Sequence, residues 1–201
     1  MIKSQPFLLN SSMAFKRSIL FPNYYFEGQM EIPGGMGEQI RDSIQKSKDS
    51  GITTDTVYGW YTNKEFPLEG VLPQVANLLG TYFVDNMLKV LDLKSRNINL
   101  LNPHLISTFP THQYPINLEP QRWYNAGIFL QTTNKGSHLS FHEFNTKLYA
   151  GQNVQDNITY VKPKQYKVVF WPSHIPWGLT PNMSMVETTM LICSFRADGK
   201  K

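Results

Sequence analysis

Cysteine is almost absent from this sequence: of 201 residues, only Cys193 is one. A single thiol cannot close an internal disulfide, and cysteines alone cannot build a zinc site here. Cys193 sits in the apolar run Met190-Leu191-Ile192-Cys193, the setting of a buried core thiol. Long hydrophobic runs are missing too. No stretch approaches the roughly 18 apolar residues of a membrane-spanning helix, so no membrane partner is expected. The start of the chain has basic residues and only short apolar pieces broken by Asn and Ser, which does not make a cleaved secretory signal. Charge is scarce at 17% of residues, and the net charge of +4 is mild. Lys and Arg are scattered apart from Arg196, Lys200 and Lys201. A nucleic-acid footprint concentrates such residues on one face, so nucleic acid is not an expected partner. Internal repeats and low-complexity segments are also absent.

What is present is a chain with 41% hydrophobic and 13% aromatic residues, long enough for one domain with a sizeable core. Residues 1–16 read as an extended arm. In it Phe7, Leu8 and Leu9 offer apolar surface with neither a helical nor a strand period. Apolar segments of this kind mark partner surfaces, so these three residues are expected to bind a neighbouring subunit. Residues 17–26 read as a short strand, a Pro-Asn turn and an aromatic patch. Met36, Ile40 and Ile44 recur at helical spacing and predict a short amphipathic helix over 37–49, with Gly51 as its stop. Residues 53–63 predict a strand bearing Tyr58 and Trp60.

From Leu68 the apolar set Val71, Val75, Leu78, Leu79, Tyr82, Phe83, Met87 and Val90 follows the i, i+3, i+4 pattern. It predicts a long helix over 69–91, with Pro73 tolerated in its first turn, so that 36–92 forms a helical cover. The remainder alternates as short strands: 98–101, 105–109, 123–131, 137–144, 158–160, 166–171 and 187–195, separated by Asn-Pro, Asn-Lys-Gly, Gly-Gln-Asn and Pro-Asn turns. Helices followed by short strands give an α+β class with a β-sandwich or barrel as the second part.

The stretch 163–181, PKQYKVVFWPSHIPWGLTP, organises the rest. Its first half alternates like a half-buried strand. Its second half, bracketed by Pro172 and Pro176, cannot continue a ladder because proline lacks the donor. A strand that delivers His174 and Trp177 onto a rigid turn suits either a binding site at a barrel mouth or a well-packed structural turn.

At 123–130, 136–143, 163–182 and 190–196 the chain resembles the iron(II)- and 2-oxoglutarate-dependent oxygenases, most of all a small group common in phages and marine bacteria. Leu20-Phe21-Pro22 and Gly59-Trp60 stand where that group has comparable motifs. The resemblance implies a double-stranded β-helix, or jelly roll, over 98–196, with the pair of amphipathic helices in front of it. Residues 17–201 then form one domain. It also implies where chemistry would sit. The first metal slot, His-x-Asp in the family, falls at Asn117 and Glu119. The second metal histidine, after a Phe-Pro-Ser turn, falls at Trp177. The arginine for the 2-oxoglutarate carboxylate falls near Thr188, Thr189 and Met190, and Arg196 comes only at the far end of that strand.

Asn is a poor iron ligand and indole is none, so the facial triad of two imidazoles and a carboxylate is not reproduced. The five histidines do not rebuild it. On a strand over 137–144, His138 and His142 would stand roughly 13 Å apart at about 3.3 Å per residue. His112 has no carboxylate two residues on, and His174 is three residues off the slot. The expectation is therefore a catalytically inactive oxygenase-like structural or adaptor subunit without cofactor. A phage virion is the expected setting (neck, tail or head decoration), with other assembly subunits as partners. The alternative is an iron(II)/2-oxoglutarate-dependent hydroxylase with an irregular ligand set, in the cytoplasm of a bacterial host. A third reading is a cupin-like binding module that holds a small ligand without metal through Trp171, Trp177 and His174; together with Asn117 and Glu119 these residues make up the candidate pocket.

Overall fold

The computed structural model describes residues 16–20, 23–65, 67–87, 98–118, 122–142 and 158–197. The arm residues Phe7, Leu8 and Leu9 lie outside that set, as does Glu119. The described chain opens with a hairpin of β1 (Lys16–Leu20) and β2 (Asn23–Gln29), so the short strand expected at the start of 17–26 is present and the aromatic patch after it is a second strand. Helix α1 (Met36–Asp49) begins after Gly35, which adopts φ +84°, and Gly51 follows its C-cap at φ +72°. Both angles are in the left-handed region that glycine adopts freely, so the two glycines set the ends of the helix. A second hairpin, β3 (Thr53–Asp55) and β4 (Gly59–Thr62), replaces the single strand expected over 53–63. Trp60 is buried in β4 while Tyr58 lies exposed in the turn.

The second helix, α2 (Leu72–Tyr82), continues as a π-helical turn over Phe83–Met87. It starts three residues later than periodicity predicts, because Gly70, just before the N-cap Val71, holds a positive φ of 57°. The last four residues of the expected helix lie outside the described residues. The buried face is the expected one: Val75, Leu79, Phe83 and Met87 are all fully buried.

Eight further strands follow: β5 (Ile98–Thr108), β6 (Tyr114–Asn117), β7 (Tyr124–Gln131), β8 (Leu139–His142), β9 (Ile158–Val161), β10 (Lys167–Pro172), β11 (Trp177–Leu179) and β12 (Thr188–Ala197). Among the described residues they form two antiparallel sheets, ordered β1-β2-β10-β7-β12-β5-β4-β3 and β6-β11-β8-β9. Except for the β8–β9 hairpin, successive strands from β5 onward switch sheet. This is the double-stranded β-helix, and the two N-terminal hairpins extend the edges of its larger sheet.

Two strands escape sequence reading. β6 contains Pro115 and β11 has three residues behind Pro176, so neither offers an alternating run. Conversely, the two strands expected over 98–109 are one. Asn102, at φ +50°, sits where the β5–β12 register slips, and this irregularity mimics a turn in the sequence.

Period-two alternation sorts the large sheet's side chains between two cores. Leu191, Cys193 and Phe195 of β12 and Val168 and Phe170 of β10 face the helices. Met190, Ile192, Val169 and Trp171 face the smaller sheet. Phe83 anchors the helical side, stacking on Phe195 at 4.1 Å between ring centres. Cys193 is buried as expected, and burial pushes its thiol pKa up, so it remains an inert thiol.

Candidate ligand slot at the barrel mouth

Residues 163–181 carry the chain from one sheet to the other. β10 ends at Pro172, opposite Tyr124 of β7. A turn follows, with the Ile175 N–H donating to the Pro172 carbonyl at 3.1 Å and the Ser173 hydroxyl donating to the Arg122 carbonyl. The chain then enters the smaller sheet at Trp177, and the Pro176 carbonyl accepts from the His142 N–H at 2.9 Å. The prolines thus serve a crossover in which one strand must stop and another begin. This end of the barrel, where β10 stops and β11 starts, is its mouth.

At the mouth Trp177 pairs with Asn117 of β6 on one side and Phe141 of β8 on the other. On β6, three residues span the distance that two span on β11, because Trp177 pairs with Asn117 and Leu179 with Tyr114. That bulge brings Asn117 onto the same face as Trp177, since directly opposed residues share a face. Trp177 has no exposed surface. Tyr114 stacks on it at 6.0 Å, and Trp171 meets it edge-on at 5.4 Å. The Asn117 side-chain oxygen accepts from the Leu118 N–H at 2.8 Å.

At the opposite end, β12 begins with Thr188. Its Oγ1 accepts from the Ser137 N–H at 3.0 Å and lies 3.4 Å from the Thr132 hydroxyl. The Ser137 and Thr108 hydroxyls are 2.8 Å apart. The strand start where the sequence lacks an arginine is therefore a cluster of buried hydroxyls bonded to one another.

The sequence matches no family model, and no curated relative matches it. Solved structures do resemble it. SnoK, a non-heme alpha-ketoglutarate-dependent carbocyclase from nogalamycin biosynthesis, superposes with a TM-score of 0.65 at 11% identity, covering 85% of this chain and 78% of SnoK. A Pseudomonas putida prolyl-4-hydroxylase gives 0.58 at 14% identity over 87% and 92% of the two chains. The viral collagen prolyl hydroxylase of Paramecium Bursaria Chlorella virus-1 gives 0.57 at 14% identity over 88% and 97%. The fold is that of the iron(II)/2-oxoglutarate oxygenases.

In the oxygenase fold as this chain builds it, the expected metal slots at Asn117 and Trp177 do come face to face across β6 and β11. The side chains there do not suit iron. An indole N–H donates only, and a carboxamide is a weak neutral donor set compared with the imidazoles and carboxylate of a facial triad. Among the described residues, no three His, Cys, Asp or Glu side chains gather closely enough to hold a metal ion. His174 is exposed on the crossover turn and does not join the slot.

The other histidines have local partners. His104 Nδ1 lies 2.8 Å from the Asn102 carbonyl, and His112 Nδ1 lies 2.9 Å from that of Pro110. His142 Nε2 lies 3.0 Å from the Ser140 hydroxyl. Leu139 and Phe141 face the barrel interior, so Ser140 and His142 face away from it. His138 precedes β8 instead of sharing the strand with His142; burial, then Lys162 and Lys167, push its pKa down.

One polar constellation escaped sequence reasoning. Glu187 accepts from Lys48 Nζ with both carboxylate oxygens at 2.9 and 2.8 Å, from Trp60 Nε1 at 2.9 Å and from the Ser107 hydroxyl at 3.2 Å. Lys48 also stands 4.9 Å from the centre of the Trp60 ring. The group ties α1 to β4, β5 and the foot of β12. Its members are far apart in sequence and carry no motif, so only the fold assembles them.

Proposed function

We propose that this oxygenase-fold chain has given up iron chemistry and serves as a structural or adaptor subunit, with a phage virion (neck, tail or head decoration) as its setting. The observation that carries the reading is Trp177. It fills the second metal slot, fully buried, directly across from Asn117 and between Tyr114 and Trp171. Putting a ligand group there would require removing a packed indole. The end of the barrel opposite the mouth supports a role in contacts between subunits. There Val57, Tyr58, Met183, Met185 and Val186 are exposed. Their loops are joined by the Phe109 N–H to the Tyr58 carbonyl and by the Thr111–Asn182 and Asn182–His112 backbone bonds. Gathered apolar surface of this kind is characteristic of interaction sites. The arm residues Phe7, Leu8 and Leu9 are the proposed partner-binding segment, and the virion setting rests on the phage-type resemblance.

The competing reading is an iron(II)/2-oxoglutarate-dependent hydroxylase with an irregular ligand set. The inward placement of Asn117 and the chemistry of the similar structures favour it. Anaerobic loading with iron(II) and 2-oxoglutarate, followed by metal analysis and a succinate assay, separates the two. The expected result is sub-stoichiometric iron and no 2-oxoglutarate turnover. Stoichiometric iron, lost on His174→Ala and accompanied by succinate formation, overturns the proposal in favour of the hydroxylase.

A further inference from the structure

Three buried side-chain donors among the described residues have no hydrogen-bond partner: Trp171 Nε1, Trp177 Nε1 and Asn125 Nδ2. They are not scattered. Asn125 on β7 pairs directly with Trp171 on β10, and Trp171 meets Trp177 edge-on at 5.4 Å. Trp171 faces the barrel interior, so Asn125, its directly opposed neighbour, faces the interior too. All three sit at the mouth, beside the slot shared by Trp177 and Asn117, and each residue is at most 1% exposed. The Ser194 hydroxyl donates to Asn125 Oδ1 at 2.9 Å, which fixes the amide and leaves Nδ2 as its free end.

Buried polar groups are nearly always satisfied, and each exception calls for a cause. One orphaned indole could turn its N–H onto a neighbouring ring. A π face is a weak acceptor, though, and the contacts of Trp171 with Phe141 and Trp177 do not supply an acceptor for all three donors. The chemistry shared by the three is a surplus of N–H donors for which no acceptor is found among the described residues. A buried water typically makes about three hydrogen bonds to groups left unsatisfied in this way. A carboxylate oxygen is the other acceptor that suits a purely donating corner.

We infer that the corner formed by Asn125, Trp171 and Trp177 binds a small oxygen acceptor, held by N–H donors alone, next to the slot that the family resemblance marks for the metal. Either a water or a small carboxylate supplies that oxygen. The inference rests on the reading that the barrel does not hold iron, and it names what the barrel holds instead.

The test begins with a high-resolution crystal structure of the full chain, prepared in carboxylate-free buffer and analysed for metal. The expected result is an oxygen within hydrogen-bond distance of at least two of the three nitrogens. A dry corner in metal-free protein overturns this inference and leaves the proposed function standing, whereas iron at the slot overturns both. Stability gives an independent readout. Asn125→Leu is close to isosteric and removes an N–H donor, and Ser194→Ala removes the hydroxyl that Asn125 holds. Without a bound acceptor, adding Asn125→Leu to Ser194→Ala raises Tm or leaves it unchanged, because an unpaired buried donor disappears; that outcome overturns the inference. With an acceptor present, Tm falls. The two sources separate on titration with acetate or succinate. A rise in Tm of the wild type that is lost in the Asn125→Leu variant assigns a carboxylate, and an unchanged Tm assigns water.

Discussion

Glu187 and Lys48 form a side-chain pair that links the helical cover to the sheet, and the environment of the carboxylate sets its sign. Burial pushes the Glu187 pKa up. The hydrogen bonds from Lys48 and Trp60, the charge of Lys48 and the hydrogen bond from Ser107 outweigh burial and hold the pKa below the ordinary value of 4.5. A depressed folded-state pKa adds stability that is fully present above the unfolded value and is lost as pH falls through the folded one. Wild-type stability is therefore expected to drop below about pH 4.5 more steeply than that of Glu187→Gln, which cannot titrate. Thermal melts of both proteins between neutral pH and acid check this; parallel curves would remove the carboxylate from the account. Both side chains are partly exposed, at 29% and 24%, so the ion pair itself is screened. Lys48→Met also strips donors from a carboxylate that remains half-buried, and should cost about 1–3 kcal/mol at neutral pH, measured by urea unfolding.

Helix α2 earns its place by one face. Val75, Leu79, Phe83 and Met87 are fully buried against the large sheet, and the π-helical turn carries Phe83 onto Phe195, Phe170, Tyr124 and Trp123. Leu79→Ala leaves a cavity in a close-packed layer and should destabilise the fold by about 2–5 kcal/mol. A chemical denaturation midpoint that barely moves would contradict the packing described. The irregular elements matter for a different reason. The bulge on β6 determines that Asn117 faces Trp177, and the Pro172–Pro176 crossover determines which residue opens β11. A one-residue change in either would swing a different side chain into the mouth, because strand side chains alternate with a period of two.

Across the whole molecule, the mouth with its tryptophans and the far end with its exposed methionines and valines lie at opposite ends of one barrel. A subunit that binds through its arm and its far end would leave the mouth unengaged. Deleting residues 2–12 removes Phe7, Leu8 and Leu9 without touching β1, which begins at Lys16. The truncated chain is expected to melt as a folded domain yet fail to enter its particle or oligomer. An arm that orders on binding loses entropy, and the burial of its Phe and Leu side chains must offset that loss. Sedimentation of the full-length and truncated chains, alone and with candidate assembly fractions, reads this directly. Equal incorporation of the two would remove the arm from the proposed function.

The sequence by itself determined the α+β class, the two helices and their buried face, the interior position of Cys193, and most strands of the larger sheet. Each of these follows from periodicity along a contiguous run, and a run of alternating or 3.6-spaced apolar residues carries that information locally. The opposition of residues 117 and 177 was legible only through resemblance. β6 and β11 are too short and too rich in proline to declare themselves. Tertiary structure alone decided the rest. It joined Lys48 to Glu187 across 139 positions, read two apparent strands as one through the bulge at Asn102, and set Asn125 beside Trp171, which meets Trp177, without giving any of the three an acceptor among the described residues. Those outcomes depend on which strands become neighbours and in what register, and residues far apart in the chain settle that together when the two sheets close.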